Sequence, residues 1–215
     1  MAKIAILIDN PRSWFTPYGE ELGVRLRERG HKVASVADPK MLPEGDIAFF
    51  LSCEQIIKKD LRDRNTHNIV VHASALPQGK GWSPTTWKVL EGKNEIPLTL
   101  FEAVDKVDAG SVYATSTIKL EGHELLDEVR EKEGKAIVEL ALTFVDQYPN
   151  VTGIPQEGEE SFYERRTPKD SELDPQKTIV EQFNLLRVVD NERYPAFFVH
   201  KGHRYILKIH EAHEN

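Results

Sequence analysis

The 215-residue chain contains a single cysteine, Cys53, so no disulfide can close within it. It has no run of about 18 apolar residues, which excludes a membrane-spanning helix. No charged leader or cleavage site precedes the first apolar stretch, so a cytoplasmic protein is expected. Basic excess is also missing: 28 Lys and Arg stand against 35 Asp and Glu, a formal charge of −7. Without a cationic field a large nucleic acid is an unexpected partner. There is no internal repeat and no low-complexity tract. What is present is a hydrophobic fraction of 40%, enough for one sizeable core.

Strand and helix patterns alternate along the first 150 residues. Lys3 to Ile8 reads as a buried parallel strand, Tyr18 to Arg29 as a helix ended by Gly30, and Lys32 to Val36 as a second strand. Asp46 to Leu51 is a third strand, and Ser52-Cys-Glu-Gln55 has the form of a capping box opening a helix to about Arg62. Asn68 to Val71 is a further strand, and Ser83-Pro84 opens a short helix by capping. Pro97 to Val104 and Ser111 to Leu120 complete the strands. Glu124 to Tyr148 carries the strongest helical stripe, Leu125, Val129, Ile137, Leu140 and Phe144, and its dense charges from Glu128 to Lys135 read as the solvated face. Short elements in βα order predict an α/β fold: a Rossmann-like, mostly parallel sheet with helices on both faces.

Composition shifts after Pro149. A stretch rich in Gly, Glu and Pro leads to a helix expected from Asp174-Pro175 to about Val188 and a hairpin over Ala196 to Ile209, turning at Lys201-Gly202. Residues 1–150 are therefore expected to form the core, and 151–215 a helix-and-hairpin appendage packed on it. The hairpin's free edge could pair with a second copy, so a homodimer stands beside a monomer.

Chemistry concentrates between Asn68 and Tyr113. The β-branched run ends at His72, followed by Ala-Ser-Ala-Leu-Pro77 and the glycine-punctuated loop Gln78-Gly-Lys-Gly81; Val107-Asp-Ala-Gly110 forms a second turn. An imidazole and a carboxylate held at strand ends are suited to moving a proton during acyl transfer. In the loop, Gly79 and Gly81 let the backbone approach a ligand, and Lys80 would reach an anionic group. Asn10, Arg12, Trp14 and Tyr18 follow the first strand, where open α/β sheets bind ligands. His210 and His213 sit in a charged tail without a third ligand, and no metal site is expected.

His72-Ala-Ser-Ala-Leu-Pro77 with Gly79, Gly81, Pro84 and Asp108-Ala-Gly110 resembles the signature of the formyltransferase fold family, which uses 10-formyltetrahydrofolate as donor. Leu51-Ser-Cys-Glu-Gln-Ile-Ile57 resembles the segment that precedes that signature. Arg165-Arg-Thr-Pro-Lys-Asp170 and Leu186 to Phe197 resemble the C-terminal part of sugar and methionyl-tRNA formyltransferases. The resemblance implies His72 as general base and oxyanion partner, Asp108 orienting it, and Ser52, Cys53, Ile57, Leu76 and Gly110 against the folate. Length and acidic charge favour a small acceptor over tRNA. The likeness is greatest to short bacterial enzymes that formylate the 4-amino group of nucleotide-linked deoxysugars, including those of pseudaminic acid biosynthesis.

One position departs from the family pattern. An asparagine two residues before the histidine is replaced here by Val70, and Asn68, on the same strand face, lies roughly 13 Å from His72. Two alternatives therefore stand beside transfer to an amine: hydrolysis of the formyl donor, and non-catalytic binding of a folate or nucleotide sugar. Tyr194-Pro-Ala-Phe197 either contacts the acceptor or packs the appendage.

Overall fold

The computed structural model describes residues 1–212, so His213 lies outside the described residues. Six strands form the central sheet: β1 (Lys3–Leu7), β2 (Lys32–Val36), β3 (Gly45–Phe50), β4 (Asn65–His72), β6 (Glu95–Glu102) and β7 (Val112–Lys119), the two-residue β5 (Lys80–Gly81) standing apart. Their order is β2-β1-β3-β4-β6-β7. β1 to β4 pair in parallel, and β6 runs antiparallel to both its neighbours, so the sheet is mostly parallel.

A parallel sheet buried on both faces needs apolar residues at nearly every position. In β1, Ile4 and Ile6 face the larger core while Ala5 and Leu7 face the smaller one, and none exceeds 2% exposure. The larger core is closed by α1 (Thr16–Glu28) and α4 (Leu126–Gln147). Gly134 lets these helices touch, since a Cβ there would sit 2.6 Å from the Tyr18 ring. The second face is covered by shorter pieces, a 3-10 turn at Pro39–Met41 and α2 (Lys59–Arg62), through Leu42, Ile57 and Leu61.

Three local expectations are corrected. Ser52 to Gln55 opens no helix: Ser52 has φ +54, and the Asp9 carboxylate accepts the N–H groups of Glu54 and Gln55, so α2 begins only at Lys59. Ser83 does not cap α3 (Pro84–Leu90) with its side chain, because it adopts a left-handed conformation at φ +50. The helix expected from Asp174 is only α5 (Phe183–Val188); the Gln182 amide bonds Asp174, Lys177 and Thr178, satisfying the preceding backbone as turns instead. The hairpin of β9 (Ala196–His200) and β10 (His203–Leu207) forms as expected, with Lys201 and Gly202 both at positive φ.

The last third is tied to the sheet's flank by a buried ion pair. Arg187 and Glu124, each 1% exposed at the side chain, meet at 3.1 Å, and Lys132 adds a contact to Glu124 at 2.7 Å. Burial pushes the Glu124 carboxyl up, but Lys132 and the N–H groups of Glu121 and Gly122 outweigh it and hold the group down at about 2. The depressed value means that Glu124 contributes stability above its ordinary 4.5, a contribution lost as pH falls toward 2. Glu124→Ala leaves Arg187 buried and unpaired, and is expected to lower urea-unfolding stability at pH 7 by about 3–5 kcal/mol.

Candidate active site

A cavity of about 580 Å³ opens at the carboxyl ends of β1, β3 and β4, where the strand order reverses direction around β1. The loops after these strands line it with Asn10 to Phe15 excepting Pro11 and Arg12, with Leu51 to Ile57, and with His72. Ser13 and Ser52 link the first two loops by a 2.8 Å hydroxyl contact, and the Asn10 amide donates to Glu54 at 2.9 Å. Phe50, Leu51, Ile57, Phe101 and Val104 make an apolar wall. The buried Arg62 guanidinium braces that wall by donating to the carbonyls of Ile57 and Val104 and pairing with Asp105.

His72, 8% exposed, ends β4. Its Nε2 lies 2.8 Å from the Gly79 carbonyl oxygen and 4.0 Å from Asp108 Oδ2. A carbonyl only accepts, so Nε2 carries the hydrogen and the lone pair of the neutral ring is on Nδ1. Nδ1 has no protein partner among the described residues. Asp108 thus stands near the ring without bonding it directly, and its Oδ2 accepts the Gly81 N–H at 2.9 Å.

The Asp108 turn is held by a residue the sequence reading did not single out. Gln156 Nε2 donates to the carbonyls of Asp108 and Gly110 at 3.0 and 2.9 Å, fixing Asp108 at φ +51. Gly110 is required there because a Cβ would collide with the Glu102 carbonyl. The glycine loop is clamped by the same downstream segment. Ser161 Oγ accepts the Gly79 N–H, and β5 pairs with β8 (Phe162–Tyr163), which brings the Trp82 N–H to the Tyr163 carbonyl.

Lys80 requires a correction: it is 1% exposed, and Nζ pairs with Glu160 at 2.7 Å, a carboxylate shared with Lys106. A buried ammonium already neutralised is not free to meet a phosphate. The cationic wall is instead built by Arg130 on α4 and by Arg165, Arg166 and Arg193 downstream. Arg165 lies 4.7 Å from the Trp82 ring centre, and Arg130 lies 5.9 Å from that of Trp14 while pairing with Asp190 at 3.1 Å. Burial lowers the Arg166 pKa, and its Nε has no hydrogen-bond partner.

Of the residues predicted from sequence, Asn10, Trp14, Ser52, Cys53, Ile57, His72, Gly81 and Asp108 line the cavity. Arg12, Tyr18, Leu76, Gly79, Lys80 and Gly110 are outside its lining. Arg12 is exposed beyond its Asn10-bonded backbone, Tyr18 packs on α4, and Leu76 is half-buried in the loop. Gly79 and Gly110 act through backbone geometry behind the surface. Asn68 spends its amide on the Arg62 and Asn65 carbonyls, and Val70, at the departing position, lines the cavity without a polar atom. Glu133, expected among solvated charges, also faces the cavity: Leu126, Arg130, Glu133 and Ile137 form one helical stripe along it. That i, i+4, i+7, i+11 spacing was the available signal.

Burial pushes the Glu133 carboxyl up to about 7, with the Thr85 hydroxyl beside it and Arg130 acting in the opposite direction. The Cys53 thiol is pushed up to about 12 by burial and by the nearby Asp9 carboxylate. Among the described residues no cluster of three or more potential metal ligands gathers, and no helix is long and apolar enough to cross a membrane.

The fold matches solved structures at low identity. A methionyl-tRNA formyltransferase from Clostridium thermocellum superposes with TM-score 0.82 at 19% identity, over 99% of this chain and 94% of that one. A likely sugar N-formyltransferase from Mycobacterium tuberculosis gives TM-score 0.76 at 20% identity, with full coverage of both chains. HypX from Aquifex aeolicus in complex with tetrahydrofolic acid gives 0.79 at 18% identity, over 97% of this chain and 37% of that one. The formyl transferase family model matches residues 9–141, which include His72 and Asp108, and the chain belongs to that family of enzymes.

Proposed function

We propose that the protein transfers the formyl group of 10-formyltetrahydrofolate to the 4-amino group of a nucleotide-linked deoxysugar, as in the formation of pseudaminic acid-type sugars. The observation that carries this reading is His72: its Nε2–H is committed to the Gly79 carbonyl, its other nitrogen has no protein partner among the described residues, and the ring lines a cavity that has both an apolar and an arginine-rich wall. The apolar wall, with Cys53 and Ile57, fits a flat pterin. Bound there, the folate supplies the formyl carbon and a nitrogen leaving group. The arginine wall suits a diphosphate, and Trp14 and Tyr194 supply faces for a base or sugar. The chain's charge of −7 argues for a small acceptor over a polynucleotide. Residues 1–150 form the catalytic core in this reading, and 151–215 an extension that completes the acceptor side. A cytoplasmic location follows from the folate donor.

His72 Nδ1 takes a proton from the attacking amine as its lone pair bonds the formyl carbon. The resulting imidazolium faces the developing oxyanion, for which Val70 offers no donor, and Asp108 at 4.0 Å stabilises the cation. The same proton is returned to the departing folate nitrogen as its bond to the formyl carbon breaks. Cys53 takes no part as a nucleophile, because a thiol held up at about 12 is un-ionised at neutral pH.

Val70 also favours a second reading, a binding protein that no longer turns over. The two are separated by mass spectrometry of nucleotide-linked aminosugars incubated with the folate donor, in which the transferase adds one formyl group. His72→Asn and Asp108→Asn are each expected to lower kcat/KM at least about 100-fold with little change in Tm; activity within a few-fold of wild type in both variants would overturn the site assignment. Formate release without an amine would mark a hydrolase. Cys53 is expected to resist aromatic disulfide reagents at pH 7.5 in the folded protein and to react fully once it is unfolded.

A further inference from the structure

The transfer reaction needs a neutral amine, yet an aliphatic amine of ordinary pKa, such as the lysine side chain at about 10.4, is protonated at pH 7. His72 offers one lone pair, and that pair is needed during attack. A second group in the cavity that took the proton the acceptor brings with it would leave His72 free for the attack. The cavity contains such a group. Glu133 lies on the α4 stripe that lines the cavity and makes no ion pair among the described residues. Its neighbour Thr85, nine-tenths buried behind the wall, places a hydroxyl beside the carboxylate and supports its ionised form. A carboxylate in a cavity wall with no cation paired to it is complementary to an ammonium, which brings three donors and a positive charge.

We propose that Glu133, supported by Thr85, receives the acceptor's ammonium and removes its first proton, delivering a neutral amine to His72. This rests on the amine-acceptor reading above. The ammonium N–H bond breaks toward a Glu133 oxygen, leaving a carboxylic acid and a free amine lone pair. That lone pair bonds the formyl carbon, the second amine proton passes through His72 to the folate nitrogen, and Glu133 releases its proton to water. Burial holds the carboxyl near neutrality, which suits it to a proton exchanged at pH 7. The other charged and titratable groups lining the same cavity are Arg130 on its own helix, Cys53, Glu54 and Arg62 beyond β3, His72 and Asp108 at the strand ends, and Arg165, Arg166, Asp190, Arg193 and Tyr194 downstream; of these Arg130 acts on the carboxyl.

The experiment compares wild type, Glu133→Gln and Glu133→Asp as full chains, using the aminosugar nucleotide and the folate donor, with kcat/KM measured from pH 6 to 9. Glu133→Gln is expected to lose at least about 10-fold at pH 7 and to recover toward wild type at pH 9, where the amine is increasingly neutral in solution; Glu133→Asp should retain part of the rate. An acceptor amine already neutral at pH 7 should shrink the deficit to under about three-fold. A structural defect would depress the rate equally at every pH and with both acceptors. If wild type transfers formyl and Glu133→Gln matches it across the pH range, or is depressed uniformly, the inference is overturned and the transferase reading stands. If wild type formylates no amine, the transferase reading fails and this inference with it.

Discussion

The hydrogen bond from His72 Nε2–H to the Gly79 carbonyl organises the site. It fixes the imidazole tautomer, directs the lone pair away from the loop, and makes a backbone atom, not Asp108, the direct partner of the ring. Asp108 contributes charge at 4.0 Å and a second tether to the same loop through Gly81. Ring, carboxylate and loop thus form one closed set of contacts. A shift of the glycine loop would move all three together.

The loop is held from far downstream. Ser161 fixes Gly79, Glu160 neutralises the buried Lys80, and Gln156 secures the Asp108 turn. These three residues fall within six positions of one another, so a short segment crossing the cavity's flank sets the geometry of His72 and Asp108, which come from different strand ends. The next residues, Arg165 and Arg166, then enter the cavity wall. Alignment of the chemistry and supply of positive charge therefore come from one continuous stretch.

The fold was legible where one local signal dominated. The strands β1 to β4, the long helix α4 and the Lys201-Gly202 hairpin follow from apolar runs, periodicity and turn chemistry. His72 stood out because it ends an apolar run before a glycine-bearing loop, and Asp108 because it sits in the Val107-Asp-Ala-Gly110 turn. Legibility failed where a distant side chain decided the outcome. Asp9 removes the N–H groups that would have opened a helix at Ser52, and the Gln182 amide replaces a helical turn in the same way. Lys80 resembled an anion-binding residue until Glu160, 80 positions away, proved to occupy it. Glu133 was hidden among charges on a helix because the stripe it continues was read only through its apolar members.

The clamp at Ser161 also bears on how such enzymes diversify. The family match ends at residue 141, which makes the rest of the chain look like a replaceable specificity module. Here that remainder also holds the glycine loop to which the His72 ring is bonded. Grafting in a relative's tail would remove the contacts that seat the imidazole and the Asp108 turn, so any such exchange has to carry the 156–161 segment with it.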